Sequence, residues 1–295
     1  MTTNKQTNKQ TNKQTNKQKA FALLLFMLCF FKGYSQQSTF QIIPPDGGGD
    51  LEEIPVLEEN IPVFNFSPEG KLETVYDNRG NLLKLKDILI DAPKEIGYLK
   101  TTNVTCSTTS YFNLYFEPGC GMDDTSNPTH NARRAVMCKV FEDISNFITS
   151  PLSTTGNKVN IWVRNIANES APVGTLGLAS SFYIPYSNST NTVGGILDGE
   201  IWKTIHLGVD SYTNVLNGTN LLYHGKVAFN FNDSSINWNT NLSINSPSNL
   251  YDLYTVILHE VVHSLGFGSF INQNGASIDP SPYYSRYDTF LRTNS

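Results

Sequence analysis

The chain has 295 residues, of which 21 are basic and 26 acidic. Six of the lysines lie in the first 35 residues; the remaining 260 residues hold 15 basic against 26 acidic groups, a net charge near −11. That balance argues against a nucleic-acid partner, and no stretch after residue 35 reaches the ~20 apolar residues of a membrane span.

The leader reads as an export signal. Four TNKQ repeats, Thr3 to Gln18, are low complexity and predict no fold. Ala20 to Phe31 is a run of 12 apolar residues, preceded by lysines as its only charges and followed by Lys32-Gly33-Tyr34-Ser35. A basic leader, a short apolar core and small residues at Gly33 and Ser35 predict a signal peptide over 1–35, cut before Gln36, and hence a secreted, extracellular protein. Cys29 sits inside the apolar core between bulky neighbours, which argues against a lipoprotein anchor.

Residues 36–101 differ in character from the C-terminal two thirds of the chain. The stretch "IPPDGGGDLEEIPVLEENIP" is acidic and rich in Pro and Gly, so an exposed segment is expected. After it, "VYDNRGNLLKLKDILI" predicts a hairpin with its turn at Asp77-Asn78-Arg79-Gly80. The segment is too small and polar for a core of its own. A propeptide and an N-terminal lead-in to the next domain both fit it.

A globular domain is expected over 102–295. Phe112, Leu114 and Phe116 alternate as on a strand. Ala132, Val136, Val140, Ile144 and Phe147 recur at helical spacing, with Thr129 or Asn131 as N-cap. "VNIWVRNI" and "LGLASSFYI" predict two strands, and the Asn/Ser/Thr/Gly-rich stretch Ser187 to Leu222 predicts loops. "GKVAFNFN", Gly225 to Asn232, predicts a strand with Val227, Phe229 and Phe231 on its buried face. A last helix starts near Pro247-Ser248-Asn249, has Asp252 in its first turn and ends at Gly266. Leu250, Leu253, Ile257, Val261 and Leu265 form its apolar stripe, widened by Leu258 and Val262, so it is expected to be buried on most sides. The plan is α+β.

That last helix carries "HEVVH", and His259 and His263 stand one turn apart on one face. Two imidazoles so placed can converge on one zinc ion, and Glu260 beside them can take a proton from a water at the ion. Ionisable groups on an otherwise apolar helix are costly without a partner, which favours a metal site over a chance pattern.

The motif "HEVVHSLGF" resembles the active helix of zincin metalloproteases, and within them the metzincin and leishmanolysin-like enzymes and their secreted bacterial relatives. The resemblance extends more weakly over Tyr111 to Leu291. It implies a zincin-like catalytic domain, a twisted mixed sheet with a backing helix and a buried active-site helix. It also implies a zinc-dependent endopeptidase acting on a protein or peptide, with His259 and His263 as ligands and Glu260 as general base. An edge strand beside the helix would pair with bound peptide, and "GKVAFNFN" is expected to be that strand. Gly266 matches the family glycine, whereas Ser269 stands where metzincins have a third histidine. After His263 the chain contains no His, Glu or Met, so the late third ligand and the methionine turn of the leishmanolysin-like enzymes are expected beyond Ser295.

Asp279 and Asp288 are the carboxylates left on that side; Asp279 is expected to cap a turn and Asp288 to lie on a strand. His224, just before a strand, is a weaker candidate ligand. His130 is expected at a helix start and His206 in a loop. Among Cys106, Cys120 and Cys138 one disulfide is expected, with the pairing open. "PGCGMDD" superficially resembles the cysteine switch of matrix metalloproteases but lacks its Arg and second Pro, so a structural disulfide is expected at Cys120. Two alternatives stand beside the peptidase: a zinc hydrolase of a non-peptide substrate, and a non-catalytic binding or adhesion domain on a zincin scaffold. Glu260 argues against the latter, since a metal kept only for structure has no use for an adjacent base.

Overall fold

The structure is a computed structural model, and it describes residues 71–90, 101–104, 106, 110–184, 195–214, 221–243, 246–271 and 283–291. The chain divides into two units, Met1–Gln41 and Ile42–Ser295, and every described residue belongs to the second. The expected signal peptide, the acidic stretch after it and Asp279 lie outside the described residues. No helix among the described residues is long and apolar enough to cross a membrane.

The first described element is the expected hairpin. Strands β1 (Thr74–Tyr76) and β2 (Leu82–Lys84) pair antiparallel with Tyr76 opposite Leu82, and the turn falls at Asp77–Gly80. Gly80 takes a φ of 77°, a left-handed conformation that glycine adopts without a Cβ penalty.

A mixed five-stranded sheet forms the centre. It comprises β3 (Thr102–Val104), β4 (Phe112–Phe116), β5 (Val159–Asn165), β6 (Gly177–Ser181) and, after β7 (Gly195–Leu197), β8 (Gly225–Phe229). Their spatial order is β3-β4-β5-β8-β6, with β4, β5 and β8 parallel and the two outer strands antiparallel to their neighbours. This order corrects the place expected for "GKVAFNFN". Strand β8 is internal, with Val227 opposite both Val163 of β5 and Ala179 of β6, and all five of its residues are buried. The edge is β6. A short apolar run such as Val227-Ala228-Phe229 suits an edge and a centre alike, and only the pairing decides.

The two faces of the sheet have different covers. Helix α1 (Pro128–Phe147) lays Val136, Met137, Val140 and Phe141 on the face formed by Phe112, Leu114, Phe116, Ile161 and Val163. The last long helix, α4 (Leu253–Ser264, following the short strands β9, Trp238–Asn239, and β10, Tyr251–Asp252), joins that core through Leu253, Ile257 and Val261. Each of these fully buried side chains stabilises the packing by about 1.5–3 kcal/mol. On the opposite face Leu72, Val75 and Ile88 from the hairpin region pack with Tyr115, Trp162 and Tyr223. The described part of the N-terminal segment therefore shares a core with the sheet.

Other expectations are refined. Asn127 caps α1, accepting from the Thr129 N–H at 2.9 Å, in place of Thr129 or Asn131, because Pro128 fits the first helical position. The stretch read as loops contains α3 (Glu200–Leu207), a helix too short to show much periodicity; Ile201, Thr204 and Ile205 bury its inner face. A shorter helix, α2 (Leu152–Thr155), precedes β5, and β11 (Tyr283–Ser285) pairs with β7. The disulfide joins Cys106 to Cys138, tying the chain after β3 to α1. Cys120, expected in a disulfide, is a free buried thiol whose burial pushes its pKa up to about 12.

Candidate metal centre

Helix α4 begins at Asp252, whose Oδ2 accepts from the Thr255 N–H at 3.0 Å. The expected start at Pro247–Asn249 lies one turn too early, and Leu250 is outside the helix. Leu253, Ile257 and Val261 point into the core, and Tyr254 ties the helix to α1 by donating to Asp143 Oδ2 at 2.9 Å. These contacts fix which way the remaining faces look. Glu260 falls seven residues after Leu253, almost in line with the buried stripe, while His259 and His263 lie further round the helix. The helix is fully buried on one stripe and half-buried elsewhere, which is less than its apolar pattern predicts.

The two histidines converge. Their Nε2 atoms are 3.0 Å apart and their rings stand at 89° to each other. The pair is at hydrogen-bond distance, and two ligands on one tetrahedral zinc at ~2.0–2.1 Å lie about 3.3 Å apart, so the imidazoles would part by only a few tenths of an ångström to share an ion. His263 Nδ1 is 2.6 Å from the carbonyl oxygen of Phe267. A carbonyl only accepts, so Nδ1 carries the proton and Nε2 presents its lone pair, the usual orientation of a ligating histidine. Gly266 makes this contact possible: its φ of 105° turns the chain back under the helix end. Burial lowers the His259 pKa, and the neighbouring His263 lowers it further, so the neutral form that binds metal is favoured.

Glu260 lies against the edge strand. A Cβ added to Gly177 would come within 3.1 Å of Glu260 Cγ and 3.0 Å of the Phe229 ring, so the missing side chain leaves room for the carboxylate. Burial raises the Glu260 pKa, opposed by the charges of His263 and Arg79. The sequence pattern did not single out Gly177. The signal was present as a glycine within a strand pattern, which marks a close approach.

The other candidates are elsewhere. His224 is fully buried, with Nδ1 accepting from the Asn160 N–H at 3.0 Å and Nε2 at 3.2 Å from Asp210 Oδ1, so both ring nitrogens serve the core. It adjoins the start of β8, whereas Glu260 lies over Gly177, which pairs with Phe229 at the other end of that strand. Asp288 lies in a 3-10 turn, Tyr287–Phe290, and its Oδ2 accepts from the N–H groups of Phe270 and Ser285 at 3.0 and 2.7 Å. Ser269 accepts from the Ile271 N–H in a local turn. His130, at the helix start as expected, accepts from the Asp124 N–H, and His206 stacks on Trp202 within α3. Among the described residues no group of three His, Cys, Asp or Glu side chains could hold a metal ion. His259 and His263 thus fit two positions of a zinc site. No protein family, curated protein or solved structure matches this chain.

Proposed function

We propose that the chain is a secreted zinc-dependent endopeptidase of zincin-like fold acting on protein or peptide substrates, with His259 and His263 as ligands and Glu260 as general base. The observation that carries this reading is the convergence of two Nε2 atoms at 3.0 Å on a helix that also bears Glu260. Zinc bound there would polarise the scissile carbonyl and acidify the attacking water. Among the described residues His259 and His263 are the two ligands that this reading assigns.

The chain's own groups account for the remaining steps. Phe267 fixes the His263 tautomer. Glu260, its proton affinity raised by burial, accepts the water's proton and delivers it to the leaving amine. Strand β6 is the sheet edge beside α4, and at its Gly177 end, next to Glu260, an extended peptide would pair through main-chain hydrogen bonds that tolerate many sequences. The Cys106–Cys138 disulfide supports an oxidising compartment, in keeping with export.

The test is Glu260→Gln, which removes the base and spares both ligands. Zinc content should hold while peptide hydrolysis falls by ~10²–10⁴. Equal hydrolysis by variant and wild type would refute the mechanism. Stoichiometric zinc in a wild-type protein that hydrolyses no peptide would favour the non-catalytic binding domain.

A further inference from the structure

The outer edge of β6 is already partly occupied. The Asn230 N–H donates to Leu176 C=O and the Phe182 N–H to His224 C=O, so even-numbered residues bond towards β8. By alternation Gly177, Ala179 and Ser181 aim their backbone groups outward. Beyond them, Tyr183 exchanges both of its backbone hydrogen bonds with Tyr76, at 2.8 and 2.9 Å. Asn78, in the hairpin turn, donates from Nδ2 to the Ala179 carbonyl at 3.0 Å and from its N–H to Ser180 Oγ at 2.8 Å. Arg79 donates to the Ser170 carbonyl at 3.0 Å. The turn therefore lies along the edge from Ala179 to Tyr183, and Gly177, beneath Glu260, falls just short of it.

The turn is firmly built. Asp77 Oδ1 accepts from the N–H groups of Arg79 and Asn81, and Oδ2 accepts from Asn81 Nδ2. Asp77 Oδ2 also pairs at 3.0 Å with Lys226 on β8, which in turn binds Glu169 at 2.7 Å, all three side chains being buried. Val75 and Ile88 are fully buried, and Ile88 and Ile90 hydrogen-bond to Tyr223 and Leu221. A segment held on both sides of its turn in this way is part of the folded domain.

We infer that the hairpin is a permanent wall along the β6 edge and not a releasable propeptide, and that Asn78 limits how far a peptide can extend along β6. This rests on the peptidase reading for its substrate, but the permanence of the wall does not. Two measurements test the wall without catalysis. The N–H groups of Asn78, Arg79 and Asn81 should exchange with solvent ~100-fold or more slowly than in an unfolded chain, and intact mass of the exported protein should show Leu72–Ile90 retained. Exchange at unfolded-chain rates, or a folded exported form beginning after Ile90, would overturn the inference.

A third measurement reads the limit on substrate. Two peptide series are lengthened residue by residue, one at each terminus. In wild type, lengthening at one terminus should leave kcat/KM unchanged, and Asn78→Ala, which frees the Ala179 carbonyl, should restore a gain of about fivefold there. Gains at both termini in wild type would show that the wall sets no limit. If wild type hydrolyses no peptide at all, the peptidase reading fails, while the exchange and mass measurements still decide whether the hairpin is permanent.

Discussion

Asp77→Asn keeps the shape of the side chain and removes its charge, which makes it a sharp test of what holds the N-terminal hairpin to the sheet. Asp77 and Lys226 have side-chain exposures of 1% and 5%, so the pair is buried. Breaking one member of a buried pair costs about 3–5 kcal/mol. Lys226 keeps Glu169 as a second partner, so the lower end, about 3 kcal/mol, is expected. For a domain of this size that is a fall in Tm of roughly 6–12 °C. The pH dependence has a definite sign. Burial alone would raise the Asp77 pKa, but Lys226 and the Asn81 hydrogen bonds outweigh it and hold the pKa below its usual value. A depressed folded pKa stabilises above the unfolded value of ~3.9, and that stability is lost as pH falls through the folded value. Urea unfolding of both proteins at pH 7 and across the acid range provides the assay. The gap between them should be widest near neutrality and close below pH ~4. A Tm difference under ~2 °C at pH 7, or a gap that persists to pH ~2, would refute the argument.

Four further outcomes are expected. His259→Ala and His263→Ala should each lose zinc together with activity, and elemental analysis finding one zinc per chain in both would remove the pair from the site. Ala228→Pro deletes a backbone donor and places a ring in an internal strand, which costs about 3 kcal/mol or more, so the variant should fail to fold; a folded, fully active protein would contradict the sheet order. Cys106→Ser opens a cross-link spanning 32 residues and should lower stability by about 3–4 kcal/mol by urea unfolding. In the folded wild type iodoacetamide should leave Cys120 unmodified, and rapid labelling there would contradict its burial.

Local pattern was enough for much of this protein. Alternation at Phe112–Phe116 and Val159–Asn165 marked β4 and β5, helical spacing marked α1 and α4, and the Asp-Asn-Arg-Gly run marked the hairpin turn, because each signal lies within a few residues. The same locality placed His259 and His263 one turn apart, which the structure shows as Nε2 atoms 3.0 Å from each other. Neither the order of the sheet nor the uses of its polar residues could be read that way. Val227 and Phe229 alternate as an edge strand would, yet β8 is central, since strand order depends on partners distant in the sequence. His224, a candidate ligand by its position before a strand, is held in the core by Asn160 and Asp210. Asp77 and Asn78 read only as turn formers, and folding set them against Lys226 and Ala179, far along the chain. Backbone periodicity is a property of neighbours in sequence; the pairing of buried charges and strand edges is a property of neighbours in space.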